Sequence, residues 1–369
     1  MAQADSPQMI TIPSLPTERD EELVRQFRVT LNYLRDLEIY LQNTYGRSRK
    51  LHEGIATTLA SHRPYLKLRR RAGADIDLDQ LQRHLEIAWV SELELWLPAA
   101  LGAGRALRVT NAWSPVHAYY ATAMLLQAWF DANGMTGTAD DHTAALRSIS
   151  AQIKDRRLFP LPWSILCEGN AHATTGCTYV HEPSAGACAG KIQVLSMPIG
   201  LPGAQSEAEF FARFGTWLRT TRKSRLEKRE EQWKRKEKKG RIDPQVRKQF
   251  VASLHPTSLF DCLWRLRIRS NYRSVETYLV RYVGDDEAER FHKALVTVTR
   301  ATVCLLESYV ARLIGAQNYG KIVQGFLSHD PQGLAAQTVG RRLPYVLQAA
   351  TASGAAGQLN PVGPSRGRG

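Results

Sequence analysis

Ser114-Pro115-Val116-His117-Ala118-Tyr119-Tyr120-Ala121-Thr122-Ala123-Met124-Leu125-Leu126-Gln127-Ala128-Trp129-Phe130 is the stretch on which the fold turns. Ser114-Pro115 open a helix, because proline's fixed φ and missing N–H suit the first helical turn, and Asn133-Gly134 close it. Aromatic and small apolar residues at helical spacing mark Tyr119, Tyr120, Trp129 and Phe130 as core packing. Ala118 to Phe130 is also the richest apolar run, and it falls short of the ~18 to 20 uninterrupted apolar residues that span a bilayer, so a soluble protein without a membrane partner is expected.

The same periodicity extends outward in both directions. Leu23, Phe27, Leu31, Leu34, Leu41 and Tyr45 form one stripe of a helix beginning near Thr17, with Thr17 and Asp20 as caps. Further helices are predicted at about 78–97 and 139–153. From Asp155 to Gly203 prolines interrupt short β-prone runs such as Ile192 to Leu195, which reads as loops with at most a small sheet. Helical patterning returns at 206–239, breaks at Gly240 to Pro244, resumes through Leu254 and restarts after His255-Pro256. The longest late helix is placed at about 286–313, where Ala288, Phe291, Leu295, Val298, Val303 and Leu306 keep the three-and-four spacing of a core-facing stripe.

The expected fold is therefore mainly α. It is a helical bundle with an N-terminal helical extension and a loop-rich insertion holding a small β element. In chain order the divisions are a flexible start (1–16), an N-terminal helical region (17–110), a bundle split into 111–154 and 255–316, the insertion (155–204), a basic helical arm (205–254), C-terminal helices (317–352) and a disordered tail (353–369).

Composition is ordinary for a globular chain of 369 residues, with 43% hydrophobic and 23% charged residues. Charge is not ordinary. The net value of +14 and a pI near 9.7 suit a polyanionic partner. Between Arg219 and Lys248, 14 basic residues face five acids. Five cysteines, and a start (MAQADSPQMITIPS) without the features of a secretion signal, place the protein in a reducing cytoplasm.

Three segments resemble a known family. The Tyr119-Tyr120-Ala121 helix followed by Gly134 is similar to the Tyr-Tyr-Ala helix of HEPN-superfamily proteins. Asp140-Asp141-His142-Thr143 resembles the start of that family's next helix, with Asp141 in place of Thr. Arg265-Leu266-Arg267-Ile268-Arg269-Ser270-Asn271-Tyr272 looks like its Arg-x-x-Ala-Asp-Tyr helix end, with Asn271 in place of Asp.

The resemblance implies an up-and-down helical bundle that often dimerises, found in RNases, toxins, defence proteins and inactive RNA-binding relatives. Active members carry Arg-x(4 to 6)-His late in the bundle. Here Arg247 and His255 have seven residues between them, and the spacing is met only by Arg47 and His52, outside the resembling parts. The expectation is an RNA-binding protein of a defence or toxin type without strong nuclease activity of its own. His117 with Arg269 is the pair to test for catalysis, Arg47 with His52 is the control, and His52 is read as a surface residue. The alternative function is a non-catalytic interaction protein whose basic arm docks an acidic protein partner.

Other constellations keep two readings each. Cys167, His172, Cys177, His181 and Cys188 could hold a structural zinc, or could be free residues, since no tight Cys-x2-Cys knuckle is present. No cofactor is otherwise indicated. On the arm, Arg219, Arg222, Lys223, Arg225, Lys228, Arg229, Lys234 and Arg235 are candidate phosphate contacts, or a solvated face supported by pairs such as Glu230–Lys234 and Glu227–Lys223. Of these, Arg222, Lys223, Arg225, Lys234 and Arg235 are expected to be exposed. Arg265, Arg269 and Arg273 share one face of a presumed helix, either to clamp phosphates or to pair with Glu276 and Asp261. No Walker loop, dinucleotide Gly-rich turn or Gly-x-Ser-x-Gly elbow is present, which removes the common ATPase, Rossmann and hydrolase readings.

Overall fold

The computed structural model describes residues 17–70, 76–102, 107–135, 141–173, 176–181, 203–237, 240–273, 277 and 283–353. The chain is mainly α-helical, with one small sheet among the described residues. Its first helix, α1 (Glu18–Tyr45), starts where the sequence places it: the Thr17 hydroxyl accepts from the Asp20 N–H at 3.2 Å and the Asp20 carboxylate accepts from the Thr17 N–H at 2.9 Å. This reciprocal cap satisfies two backbone donors that the helix start would leave orphaned. Then come α2 (Arg49–Ser61), the short α3 (Arg63–Leu66), α4 (Leu78–Ala100), the short α5 (Leu107–Thr110) and α6 (Ser114–Ala132). Helix α7 (His142–Arg156) begins on an Asp141 cap that accepts from the Thr143 N–H at 2.7 Å, a little later than the expected 139.

The insertion contributes an antiparallel hairpin, β1 (Leu166–Gly169) with β2 (Cys177–Val180), in which Cys167 faces Tyr179 and Gly169 faces Cys177. The β-prone run Ile192 to Leu195 lies outside the described residues. The hairpin is sewn to the later chain by two reciprocal 2.9 Å backbone bonds between Cys167 and Thr257. After it follow α8 (Glu207–Glu237), α9 (Pro244–Ser253) on an Asp243 cap, and α10 (Leu259–Ile268). At Arg269–Arg273 the backbone turns into a π-helical segment rather than continuing the presumed α-helix. The last helices are α11 (Asp285–Ile314), α12 (Ala316–Ser328) and α13 (Val339–Thr351).

Helix α11 is the axis of the molecule. It touches α1, α2, α4, α6, α12 and α13, and α6 in turn packs on α4 and α10. One continuous apolar core runs from Phe27 to Ala349, so the N-terminal region, the bundle and the C-terminal helices share an interior rather than standing as separate units. Phe27 meets Phe291 at 5.2 Å between ring centroids, and Tyr309 is wedged edge-on between Tyr65 at 4.8 Å and Phe159 at 5.0 Å. Each fully buried Leu or Val of α11, such as Leu295, Val298 and Leu305, contributes roughly 1.5–3 kcal/mol. By length and composition α11 could also cross a membrane, although its sequence does not stand out as an uninterrupted apolar run, but 83% of its most apolar window is buried in this core.

Charge is buried here too. Arg342, 1% exposed on α13, donates from Nε and Nη2 to both carboxylate oxygens of Glu307 on α11, and its Nη1 lies 2.6 Å from the Glu92 carboxylate of α4. Trp89 Nε1–H donates to Glu307 as well. Burial pushes the Glu92 pKa up and Arg342 opposes it. Removing the cation would strand two carboxylates in the interior, which costs about 3–5 kcal/mol when one partner of a buried pair is lost. Arg342→Met is accordingly expected to lower the unfolding free energy by about that amount in urea denaturation; a change below ~1 kcal/mol would show that the cluster contributes little net stability.

Candidate nucleic-acid interface

The basic arm is helix α8: its first half is seated on α1, and its second half, still buried along one stripe as far as Glu230, projects an outer face that carries exposed cations. Phe210, Phe211, Phe214, Trp217 and Leu218 are buried, and the seat on α1 includes Phe210 stacked on Tyr40 at 4.1 Å and Trp217 stacked on Tyr33 at 5.6 Å. The inward stripe then continues at four-residue spacing through Leu218, Arg222, Leu226 and Glu230, all buried. Two of those four are charged. Composition suggests a solvated face here, but position on the helix decides the burial.

Arg222 is only 2% exposed, contrary to its expected role at a phosphate. Its Nε donates to the Gly169 carbonyl at 2.8 Å, Nη1 to the His255 carbonyl at 2.8 Å and Nη2 to the Val251 carbonyl at 3.2 Å. One guanidinium thus ties β1, the end of α9 and the following loop to the arm. Its five donors in a fixed fork suit three divergent carbonyls where a lysine would not reach them. Burial pushes its pKa down from the usual arginine range.

Arg225 is likewise spent inside the fold. Nη1 donates to Asp261 Oδ1 at 2.8 Å and Nη2 lies 2.8 Å from His255 Nδ1. A guanidinium can only donate, so His255 Nδ1 must accept, which leaves the imidazole proton on Nε2 to donate to Asp261 Oδ1 at 3.0 Å. Asp261 also accepts from the Ser258 N–H and hydroxyl at the start of α10. Burial pushes the His255 pKa down and keeps the ring neutral. With both nitrogens engaged, His255 is a structural bracket and not a free base.

The remaining arm residues sort by exposure. Lys223, Lys228, Lys234, Arg235 and Lys236 are exposed, against exposed Glu227, Glu231 and Glu237. Lys223 pairs with Glu227 at 3.7 Å as expected. The expected Glu230–Lys234 pair does not form, because Glu230 turns inward to accept from Arg247 Nε at 2.8 Å and to meet His172 Nε2 at 3.1 Å. Arg229 reaches the Ser253 hydroxyl and Arg219 the Ala173 carbonyl, so both are half-buried at the junction of the two halves. Beyond the arm, Arg241 and Lys248 add two more exposed cations beside exposed Asp243.

Arg265 and Arg269 do share a face. With Glu22, which pairs with Arg25 at 2.7 Å, and with Tyr33, Trp217 and Thr220 they line a cleft of about 230 Å³ at the root of the arm. Arg265 donates to the hydroxyls of Thr220 and Thr221, each at 3.3 Å, and burial with the neighbouring Arg269 pushes its pKa down to about 10. Asp261, one expected partner of this row, is taken by Arg225 instead; Glu276, the other, and the Arg273 side chain lie outside the described residues.

Arg267 points elsewhere, as alternate positions on a helix must. Its guanidinium carbon sits 5.4 Å from the Tyr119 ring centroid and 5.1 Å from that of Tyr120, and Nη2 donates to the Tyr120 hydroxyl at 2.9 Å. The Tyr119 hydroxyl is 2.9 Å from His142 Nδ1. The starts of α6 and α7 and the end of α10 therefore meet at one cation–aromatic cluster.

The pairs picked for catalysis do not assemble. His117 is held by Glu94 at 3.0 Å, while Arg269 and Trp217 line the same cleft, and no hydrogen bond or ion pair joins His117 to Arg269. His52 is half-buried and not the exposed residue expected: it forms part of the wall of a second cleft, its Nε2 is buried without a partner, and burial pushes its pKa down to about 3. Arg47 is exposed and does not line that cleft; Arg49 does. The suggested zinc ligands are also apart. Cys167 and Cys177 are neighbours across the hairpin, His172 goes to Glu230, and His181 Nε2 lies 3.0 Å from the Lys154 carbonyl. Cys188 is outside the described residues, and among the described ones no group of three or more His, Cys, Asp and Glu side chains could hold a metal ion.

Comparison of the chain with protein-family models, curated proteins and solved structures finds no match. The division of the arm has a direct test in stability. Arg222→Gln is expected to destabilise the protein by at least about 2 kcal/mol in chemical denaturation, since buried carbonyls lose their donors. Lys234→Gln and Arg235→Gln should stay within about 0.5 kcal/mol of the parent, as exposed sites do. Equal effects at the two kinds of site would contradict the seated and projecting halves.

Proposed function

We propose that this protein binds RNA, with the projecting half of α8 as its principal phosphate-binding surface. The observation that carries the reading is a row of exposed cations on a helix whose base is fixed by buried aromatic rings and by Arg222. Lys223 to Lys236 spans about 20 Å of helix at ~1.5 Å per residue, long enough to meet several phosphates at once. A rigid base matters because ordering a floppy arm on binding would consume part of the electrostatic gain. Arg265 and Arg269 at the root extend the same positive surface toward the body.

Support for RNA in particular, and for a role of defence or toxin type, comes from the HEPN-like segments. Tyr119 and Tyr120, His142 and Arg267 belong to the three resembling stretches, and they touch one another in the fold. The same resemblance carries nuclease members, but cleavage needs an Arg and a His converging on one phosphate. His255 is locked between Arg225 and Asp261, and His117 is paired with Glu94 and not with Arg269. We therefore expect the purified protein to leave a labelled RNA intact over hours at neutral pH; turnover lost in His52→Ala with the fold intact would restore the Arg47–His52 pair as a catalytic motif.

The binding itself is tested by salt titration with a single-stranded RNA. Replacing Lys223, Lys228, Lys234, Arg235 and Lys236 with Gln is expected to weaken binding and to lower the slope of log K against log salt. The slope should fall by about 0.7 for each phosphate that is no longer neutralised. Arg222 and Arg225 are left intact because their loss would disturb the fold. A slope that does not change would move the arm's partner to an acidic protein surface.

A further inference from the structure

The cleft beside His52 lies away from the arm and is built by other helices. Its volume is about 270 Å³, at the lower edge of the ~300–1,000 Å³ typical of small-molecule sites. Arg49 and His52 come from α2, Lys293 and Arg300 from α11, and Arg341 and Arg342 from α13; the rest of the lining is neutral, so no carboxylate faces the space.

The charge of this cleft is only partly cancelled from behind. The buried carboxylates of Glu92 and Glu307 are matched by Arg342, which binds both, and by Arg300, whose Nε is 4.0 Å from Glu92. Arg300 also lies over the Trp96 ring at 5.7 Å, an arrangement that fixes the guanidinium and leaves its charge in place. Lys293 acts electrostatically on the buried Glu38 carboxylate, favouring its charged form. Arg49 and Arg341, exposed at the rim, form no ion pair among the described residues. A surplus of two rim cations thus faces the space, whose wall also includes the His52 residue.

We infer that this cleft is a binding site for a phosphoryl group, as carried by a nucleotide, by the phosphorylated end of an RNA or by free phosphate. A tetrahedral oxyanion accepts hydrogen bonds on all its oxygens and matches the guanidinium fork in two-point fashion, which a carboxylate-free, arginine-lined space provides. Ser48 and Gln337, also in the lining, supply neutral groups to the same space. The volume admits the phosphoryl end of a nucleotide and not an extended polymer. The site is independent of the arm, so either can fail without the other.

The test uses the full chain and calorimetric titration with inorganic phosphate, AMP and adenosine, together with short RNAs carrying or lacking a 5′-phosphate. Phosphate-bearing ligands are expected to bind and adenosine is not. An Arg49→Gln/Arg341→Gln double variant, altered only at exposed positions, should keep its melting temperature and lose at least about tenfold in affinity for AMP. In the parent protein the His52 ring resonances should move on addition of AMP and stay still with adenosine. Tighter AMP than phosphate would identify a nucleotide or RNA end as the source; equal binding would identify free phosphate. Adenosine binding as well as AMP, or AMP binding unchanged in the double variant, overturns the site. The arm variant should retain AMP affinity, and the Arg49/Arg341 variant should retain salt-dependent RNA binding, so loss of one activity does not masquerade as loss of the other.

Discussion

The buried triad of Arg342, Glu307 and Glu92 is the constraint around which this fold closes. It joins α13 to α11 and α4, and none of its members can leave without stranding charge in the core. Apolar packing supplies most of the cohesion, but it would tolerate α13 at many rotations about its axis. A guanidinium that must meet two carboxylates tolerates very few. The orientation so fixed also carries Arg341 to the rim of the His52 cleft, so a stability device and a ligand-facing surface share consecutive residues.

A second use of buried cation appears at the base of the arm. Arg222 meets backbone carbonyls and no carboxylate, joining three loosely connected pieces of chain. Arg225, His255 and Asp261 close a hydrogen-bonded ring beside it. Together they convert part of a strongly basic segment into structural bracing and leave the exposed lysines to face outward. The formal surplus of the segment overstates what is available to a partner, because several of its cations already have one.

How much of this is readable from sequence depends on whether the signal is local. Thr17 with Asp20, Asn133-Gly134 and Asp243-Pro244 announce helix ends because capping chemistry involves neighbours in the chain. The stripes of α1 and α11 are equally plain, since burial there coincides with apolar side chains. Arg222 and Glu230 escape such a reading because the inward positions of α8 are occupied by charge, and only the four-residue spacing from Leu218 and Leu226 betrays them. His52 sits on the flank of the Leu51–Ile55–Leu59 stripe, a hint of burial that its polarity masks. Its cleft could not be read at all, because α2, α11 and α13 are brought together only by tertiary packing. The π-helical turn at Arg269–Arg273 has no sequence mark that we can identify.

The position of α11 in the chain has a consequence for how the protein is made. Helices α1, α4 and α6 bury their apolar faces against it or around it, yet it is encoded after them, from Asp285 onward. At translation rates of roughly 5–20 residues per second, α6 waits on the order of ten to forty seconds for its partner to emerge. During that interval the nascent chain displays an incomplete hydrophobic interior, and long-range closure of this kind is slow even once synthesis ends. The order of synthesis thus leaves the apolar faces of α1, α4 and α6 without their central partner until the chain has been extended through Ile314.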